Sequence, residues 1–176
     1  KDIWELTNPG IADGCFNDVS KAWTVSLDRL VALGVNAISI TPWTYFFKSG
    51  NIWTLPVAGT ASQVSQMTDE HVQWVVEQAH SRGLKVYWVN QIQSVQLQDG
   101  SMLSPDGTKL EDVQNAISAL KSYLSERGRS LQKIGVDGVI LGSWYWVNFG
   151  SYLNSTELSK TNVDLINILK QNFRGE

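Results

Sequence analysis

Two aromatic clusters carry the strongest chemical signal in this sequence. They are Trp43, Tyr45, Phe46 and Phe47, and then Trp144, Tyr145 and Trp146. Flat rings with amide groups beside them suit a ligand that has apolar C–H faces as well as hydroxyls, as a sugar ring does. Asn90, Gln91 and Gln93 supply amides, and Ser143 adjoins the second cluster. The expected substrate-binding set is therefore Trp43, Tyr45, Asn90, Gln91, Ser143, Trp144, Tyr145 and Trp146. The competing reading is that these rings cover a rim or pack against a partner chain.

Acid chemistry is harder to place. Cleaving a glycosidic bond usually takes two carboxyl groups, about 5 Å apart for retention and about 6.5–9.5 Å for inversion. Glu5 is the one acid beside the end of an expected strand, which makes it the catalytic candidate, with a surface or capping role as the alternative. Asp13 and Asp18 suit a helix start, and Asp69 and Glu70 suit the first turn of another, where the helix dipole favours negative charge. Asp99 and Asp106 sit in Gly-containing turns. Asp137 opens a strand at the end away from the aromatic loops, which gives it a structural role. His71 and His80 both fall in helical stretches, apart from each other and from the lone Cys15, so no metal site and no Ser-His-Asp arrangement can be assembled. No Gly-rich phosphate loop follows any strand, and no cofactor is expected.

The elements that must hold these residues follow one repeated grammar of helix, glycine, strand and loop. It reads Leu33 to Phe47 (LGVNAISITPWTYFF), Arg82 to Gln93 (RGLKVYWVNQIQ) and Ile134 to Trp146 (IGVDGVILGSWYW). In each, Gly34, Gly83 or Gly135 ends a helix. A short β-branched run then suits a strand buried on both faces: Val35–Thr41, Leu84–Asn90 and Val136–Leu141. Pro42 is expected to end the first of these. Trp43–Met67 and Gln91–Thr108 then read as long loops. Lys1–Leu6 reads as a further short strand, closed by the turn formers Thr7, Asn8, Pro9 and Gly10.

Helices are expected from Val19 to Leu33, after a loop at Asp13–Asp18, and from Thr68 as cap to about Gly83, burying Val72, Val75, Val76 and Ala79. A third carries Val113, Ala116, Ile117, Leu120 and Leu124, with Gly128 as a point of interruption. The last starts near Glu157 and buries Val163, Ile166, Leu169 and Phe173. Strands alternating with single helices, without hairpin signals, predict a parallel sheet with right-handed crossovers. A doubly wound sheet and part of a (β/α)8 barrel both satisfy that order.

Composition narrows the field. A chain of 176 residues, 43% hydrophobic and 18% charged, can build one domain, 1–176, with a real core. Its net charge of −3 gives no attraction to nucleic acid, and no apolar run approaches the ~20 residues of a membrane span. A start at Lys1, a polar fraction weighted to Ser, Thr, Asn and Gln, and the acceptor Asn154-Ser155-Thr156 set the expectation of an extracellular, secreted glycoprotein.

The wording of three segments resembles TIM-barrel glycoside hydrolases. Leu27–Leu30 through Leu33–Pro42 is similar to their helix leading into the second strand. Ala79–Val86 (AHSRGLKV) is similar to the run into their third, and Gly135–Leu141 to their fourth. The β-mannanase-like members of the retaining clan match best and the α-amylase-like members come second. The resemblance spans the first four βα units of eight. It implies an α/β fold, a half (β/α)8 barrel, with a sugar groove at the C-terminal ends of the strands and an oligo- or polysaccharide as partner. It also exposes a departure. The β-mannanase-like enzymes place a catalytic Glu just after the fourth strand, where this chain has Gly142-Ser143-Trp144-Tyr145-Trp146. The α-amylase-like ones end that strand with an Asp, where this chain has Gly142. The expectation is a carbohydrate-active domain that lacks a complete acid pair of its own. The alternative is a structural or surface-assembly module, whose barrel half meets a second chain or another copy.

Overall fold

The computed structural model describes residues 13–55, 68–97, 109–142 and 152–176. Glu5, Ser143, Trp144, Tyr145 and Trp146 lie outside the described residues, as do the strand expected at Lys1–Leu6 and the turns expected at Asp99 and Asp106.

The chain order is α1 (Asp13–Ala32), β1 (Ala37–Ile40), β2 (Trp43–Ser49), β3 (Ile52–Thr54), α2 (Asp69–His80), β4 (Lys85–Val89), β5 (Gln91–Leu97), α3 (Leu110–Ile134), β6 (Gly138–Ile140) and α4 (Ser155–Asn172). Strands β1, β4 and β6 form a parallel sheet in that order. Helices alternate with these parallel strands as in part of a TIM barrel. Gly34, Gly83 and Gly135 each stop a helix at positive φ, between 73° and 90°, a backbone conformation that costs glycine nothing. Thr68 caps α2 through its side chain, and Asn154 caps α4, accepting from the backbone N–H groups of Thr156 and Glu157.

Burial alternates along the strands. In β4, Val86 and Trp88 are buried, and with Ile40 of β1 they join Trp23 and Leu27 of α1 and Val72, Val75, Val76 and Ala79 of α2 in one apolar cluster. Positions of the other row, Ser39, Lys85, Tyr87, Val89 and Ile140, are half-buried or exposed. This second row is the inner face of the barrel half.

Both long loops expected from the sequence contain strands. β2 and β5 pair in parallel, and β3 folds back antiparallel on β2 around Gly50 and Asn51, a hairpin absent from the sequence expectation. The offset that pairs Ile40 with Trp88 also pairs Trp43 with Gln91. One two-stranded ribbon therefore runs past the rim, broken only at Thr41-Pro42. Proline lacks one N–H and removes one ladder bond; here the pairing resumes beyond it. On β5, Gln93 and Ser94 together face Tyr45, a bulge between the pairs Thr44–Ile92 and Phe46–Val95. The bulge brings Ile92 and Val95, three positions apart, onto one side of the sheet.

That side is covered by the N-terminal half of α3. Phe46, Trp53, Leu55 and Ile92 form a second cluster with Val113, Ala116, Leu120, Tyr123 and Leu124 of α3 and Leu165 of α4.

Three helix expectations change. α1 begins at Asp13 rather than after Asp18. α3 passes unbroken through Gly128, where a β-carbon would lie 3.2 Å from Leu169 and from Asn172 of α4, so the glycine marks a close helix crossing. In α4 the buried positions are Leu165 and Leu169, while Val163 and Ile166 are 56% and 40% exposed. The stripe is shifted because the helix turns its Leu165 and Leu169 side toward α3 and the sheet.

Candidate functional site

The C-terminal ends of β1, β4 and β6 lie at one end of a parallel sheet. They bring Thr41-Pro42, Asn90-Gln91 and Leu141-Gly142 to a common rim. The join is tight. The Asn90 N–H donates to Ile140 O at 3.0 Å, and a β-carbon on Gly142 would fall 1.9 Å from Asn90 O. Only glycine lets the backbone after β6 cross the tip of β4 that closely.

Of the expected ligand contacts, Trp43 and Gln91 are direct neighbours in the β2–β5 register. Tyr45 lies two positions further along β2. Gln91 is half-buried and belongs to the row opposite Asn90 and Ile92. Asn90 itself is only 2% exposed and faces the helices. Its Oδ1 accepts from Trp88 Nε1 at 2.9 Å and from Tyr123 Oη at 3.4 Å. An indole N–H can only donate, so the amide is held with its oxygen toward Trp88. Among the described residues its Nδ2 has no hydrogen-bond partner.

Behind Asn90 lies a polar network that sequence reasoning missed. Arg127 is 3% exposed. Its guanidinium sits 4.3 Å from the centre of the Trp88 ring and pairs with Asp69 Oδ1 at 2.5 Å. Ser130 Oγ donates to the other Asp69 oxygen. A buried arginine is costly unless paired, and stacking on an indole adds attraction. Burial pushes the Tyr123 phenol above its usual range, with Arg127 acting the other way. Asp69 therefore does more than complement the dipole of α2: it fastens α2 to α3 under the rim. A heptad-like look along α3 would have shown Tyr123 and Arg127 one turn apart, on the buried side.

A second anchor holds the extension above the rim. Asp112 accepts from Trp53 Nε1 at 3.2 Å, Lys48 Nζ at 2.9 Å and the Lys109 N–H at 3.1 Å. Burial pushes the Asp112 carboxyl up, yet those three donors outweigh it and hold the group below its usual range.

At the opposite, N-terminal end, Asp137 has the structural role expected of it. It accepts from the Val86 N–H at 2.7 Å and from His80 Nε2 at 2.8 Å. Burial opposes its ionisation, but His80 and the Val86 N–H prevail and lower its pKa. Lys85 Nζ and Tyr87 Oη meet the Glu176 carboxylate at 2.5 and 2.6 Å, also at that end.

The six strands contain no Asp or Glu, and neither do the described rim residues Thr41, Pro42, Asn90, Leu141 and Gly142. Among the described residues no group of three or more His, Cys, Asp or Glu could hold a metal ion, and no helix is long and apolar enough to cross a membrane. At the described rim, the half-buried Gln91 is the amide that does not face the helices.

Among solved structures, the chain is similar to the GH113 β-mannanase AaManA from Alicyclobacillus acidocaldarius in complex with ManMIm. The TM-score is 0.57 at 15% identity, over 87% of this chain and 46% of that one. A complex structure of a GH113 β-1,4-mannanase matches with TM-score 0.55 and 14% identity over 87% and 47%. Another GH113 β-1,4-mannanase structure gives 0.54 and 13% over 88% and 48%. This chain thus spans about half the length of the solved structures it matches, and the likeness is one of fold. All three are of the mannanase type, the first of the two resemblances in the sequence. No family model matches the sequence, and no curated protein does.

Proposed function

We propose that this chain is a carbohydrate-active, glycoside-hydrolase-like barrel half that binds a neutral oligo- or polysaccharide at the C-terminal rim of its parallel strands. The observation that carries this reading is the parallel β1–β4–β6 sheet with Trp43 and Gln91 side by side just past its C-terminal end. The mannanase-type fold of the matched structures supports it. Ser143, Trp144, Tyr145 and Trp146 follow Gly142 in the chain, and the proposal includes them as ligand contacts. Asn90 acts from behind, as a residue that shapes the tip of β4.

A glycosidase needs its acid and its base or nucleophile within reach of one bond, and neither is present in the strands. The chain binds and orients the sugar; any cleavage draws on carboxylates beyond these strands, with Glu5 the candidate within the sequence. Secretion belongs to the same proposal. Asn154 is exposed and spends its Oδ1 on the cap of α4, while N-glycosylation would use its nitrogen.

Calorimetric titration with mannan- and glucan-type oligosaccharides tests the proposal. Heat with one of them, abolished by Trp144→Ala, is the expected result. Absence of heat with every neutral oligosaccharide contradicts it. A second reading, assembly with another chain, draws on the 47% exposure of Ile140 on the inner face and on β1 standing at one end of the sheet order among the described residues, since strand edges and apolar faces recruit partners. A dimer that persists on dilution, without sugar binding, would favour that reading.

A further inference from the structure

Two buried donors on different elements have no acceptor among the described residues: Asn90 Nδ2 at the tip of β4 and Arg127 Nε on α3. Their residues are buried beneath the rim, so bulk solvent does not serve them. The Asn90 amide cannot be turned over to help, because its oxygen must face the Trp88 indole N–H. Arg127 meets Asp69 through Nη1, and its Nε–H is left without a role.

The two donors share one neighbourhood. Asn90 Oδ1 lies at the edge of the Trp88 indole, and the Arg127 guanidinium lies over the same ring. Tyr123 touches both: its Oη donates to Asn90 Oδ1, and Arg127 acts on its phenol. Tyr123 and Arg127 stand four residues apart on the buried side of α3, where side chains at that spacing are neighbours.

A buried donor without an acceptor bears its full desolvation penalty, and native interiors meet such groups with protein or with ordered water. Charge decides which acceptor fits. Asp69 already neutralises Arg127, so an anion would enter as a further, unpaired buried charge, at high cost. A neutral acceptor avoids that cost. Internal waters typically make about three hydrogen bonds to groups of this kind, and Tyr123 Oη has a lone pair for one of the water hydrogens.

We propose that Asn90, Tyr123 and Arg127, grouped around Trp88, form a binding site for internal water, which accepts from Asn90 Nδ2 and Arg127 Nε. The site completes a hydrogen-bonded path from the tip of β4 to Asp69 in the first turn of α2. At the rim end of that path the Asn90 N–H meets Ile140 O, and the backbone crosses at Gly142. Internal water thereby ties the rim junction to the two helices behind it, whatever ligand the rim takes.

A high-resolution crystal structure of the intact chain, with a bromide-soaked crystal beside it, tests the site. The expected result is water within about 3.2 Å of Asn90 Nδ2 and of Arg127 Nε, with no bromide signal there. Density at one nitrogen only, at neither, or from bromide overturns the site. Hydrogen exchange of Arg127→Met tests the path. The Asn90 N–H should exchange about tenfold faster, the worth of roughly one hydrogen bond, while the Val86 N–H at the far end keeps its rate. No change at Asn90, or equal acceleration at Val86, overturns the path.

Discussion

The two stacked ladders of this molecule are built from the same pair of chain segments and held in different ways. Below the rim, β1, β4 and β6 rest on α1 and α2 through a cluster of aliphatic residues and Trp88. Above it, β2, β3 and β5 rest on α3 through a smaller cluster and one carboxylate, Asp112, that gathers an ammonium, an indole and a backbone N–H. Hydrophobic burial is non-directional and tolerates adjustment. A buried hydrogen-bonded ion is directional and fails when one partner is lost. The lower ladder thus rests mainly on area, with Asp137 and the Arg127–Asp69 pair added to it, while the upper one rests on a smaller cluster and leans more on the single carboxylate of Asp112.

The sharpest way to break the comparison is Asp112→Ala. It strands Lys48 and the Trp53 indole, and because the Lys48 side chain keeps 18% exposure the loss should lie at the low end for a broken buried pair, about 3 kcal/mol. Hydrogen exchange should speed up in β2 and β3 and stay unchanged in β1 and β4. Gly142→Ala attacks the junction instead. Its β-carbon meets Asn90 O, and an overpacking cost of about 2 kcal/mol should appear in urea unfolding, with loss of protection at the Asn90 N–H.

Acid offers a gentler probe of both ladders. Asp112 and Asp137 are each held below their usual range. A carboxyl with a depressed folded pKa contributes stability that is complete above its unfolded value, about 3.9, and is lost as the pH falls through its folded value. Melting temperature should therefore drop below about pH 4, and Asp137→Asn should flatten part of that fall at a cost near neutrality of about 1 kcal/mol. The smallest effect belongs to the exposed side of α4: Val163→Ser should stay within about 0.5 kcal/mol in thermal unfolding. A larger loss would restore the apolar stripe expected from sequence.

The lower ladder was readable because each of its strands follows a glycine that ends a helix and is a short β-branched run. His80 and Asp137 also stand where that grammar places them. The upper ladder was hidden for local reasons. Pro42 reads as a strand end, yet it falls in a one-bond gap that the register simply crosses. Ile92 and Val95 are three apart, which looks like loop until a bulge is allowed, and Gly50-Asn51 sat unnoticed between two short strands. Asn90 was legible as a residue at a strand tip. Its direction was not, since the row it occupies depends on the helix packed behind it. Arg127 and Tyr123 were invisible as a site because their partners, Asp69 and Asn90, come from other elements.

The central proposal is that the C-terminal end of the parallel sheet receives a neutral sugar chain. Hydrogen exchange of the intact chain with and without a saturating mannan-type hexasaccharide tests it most directly. The account predicts new protection at backbone amides of Trp43–Phe47 and Gln91–Gln96, with none around Val86 and Asp137 at the far end. Protection confined to that far end, or none anywhere despite saturation, would contradict it.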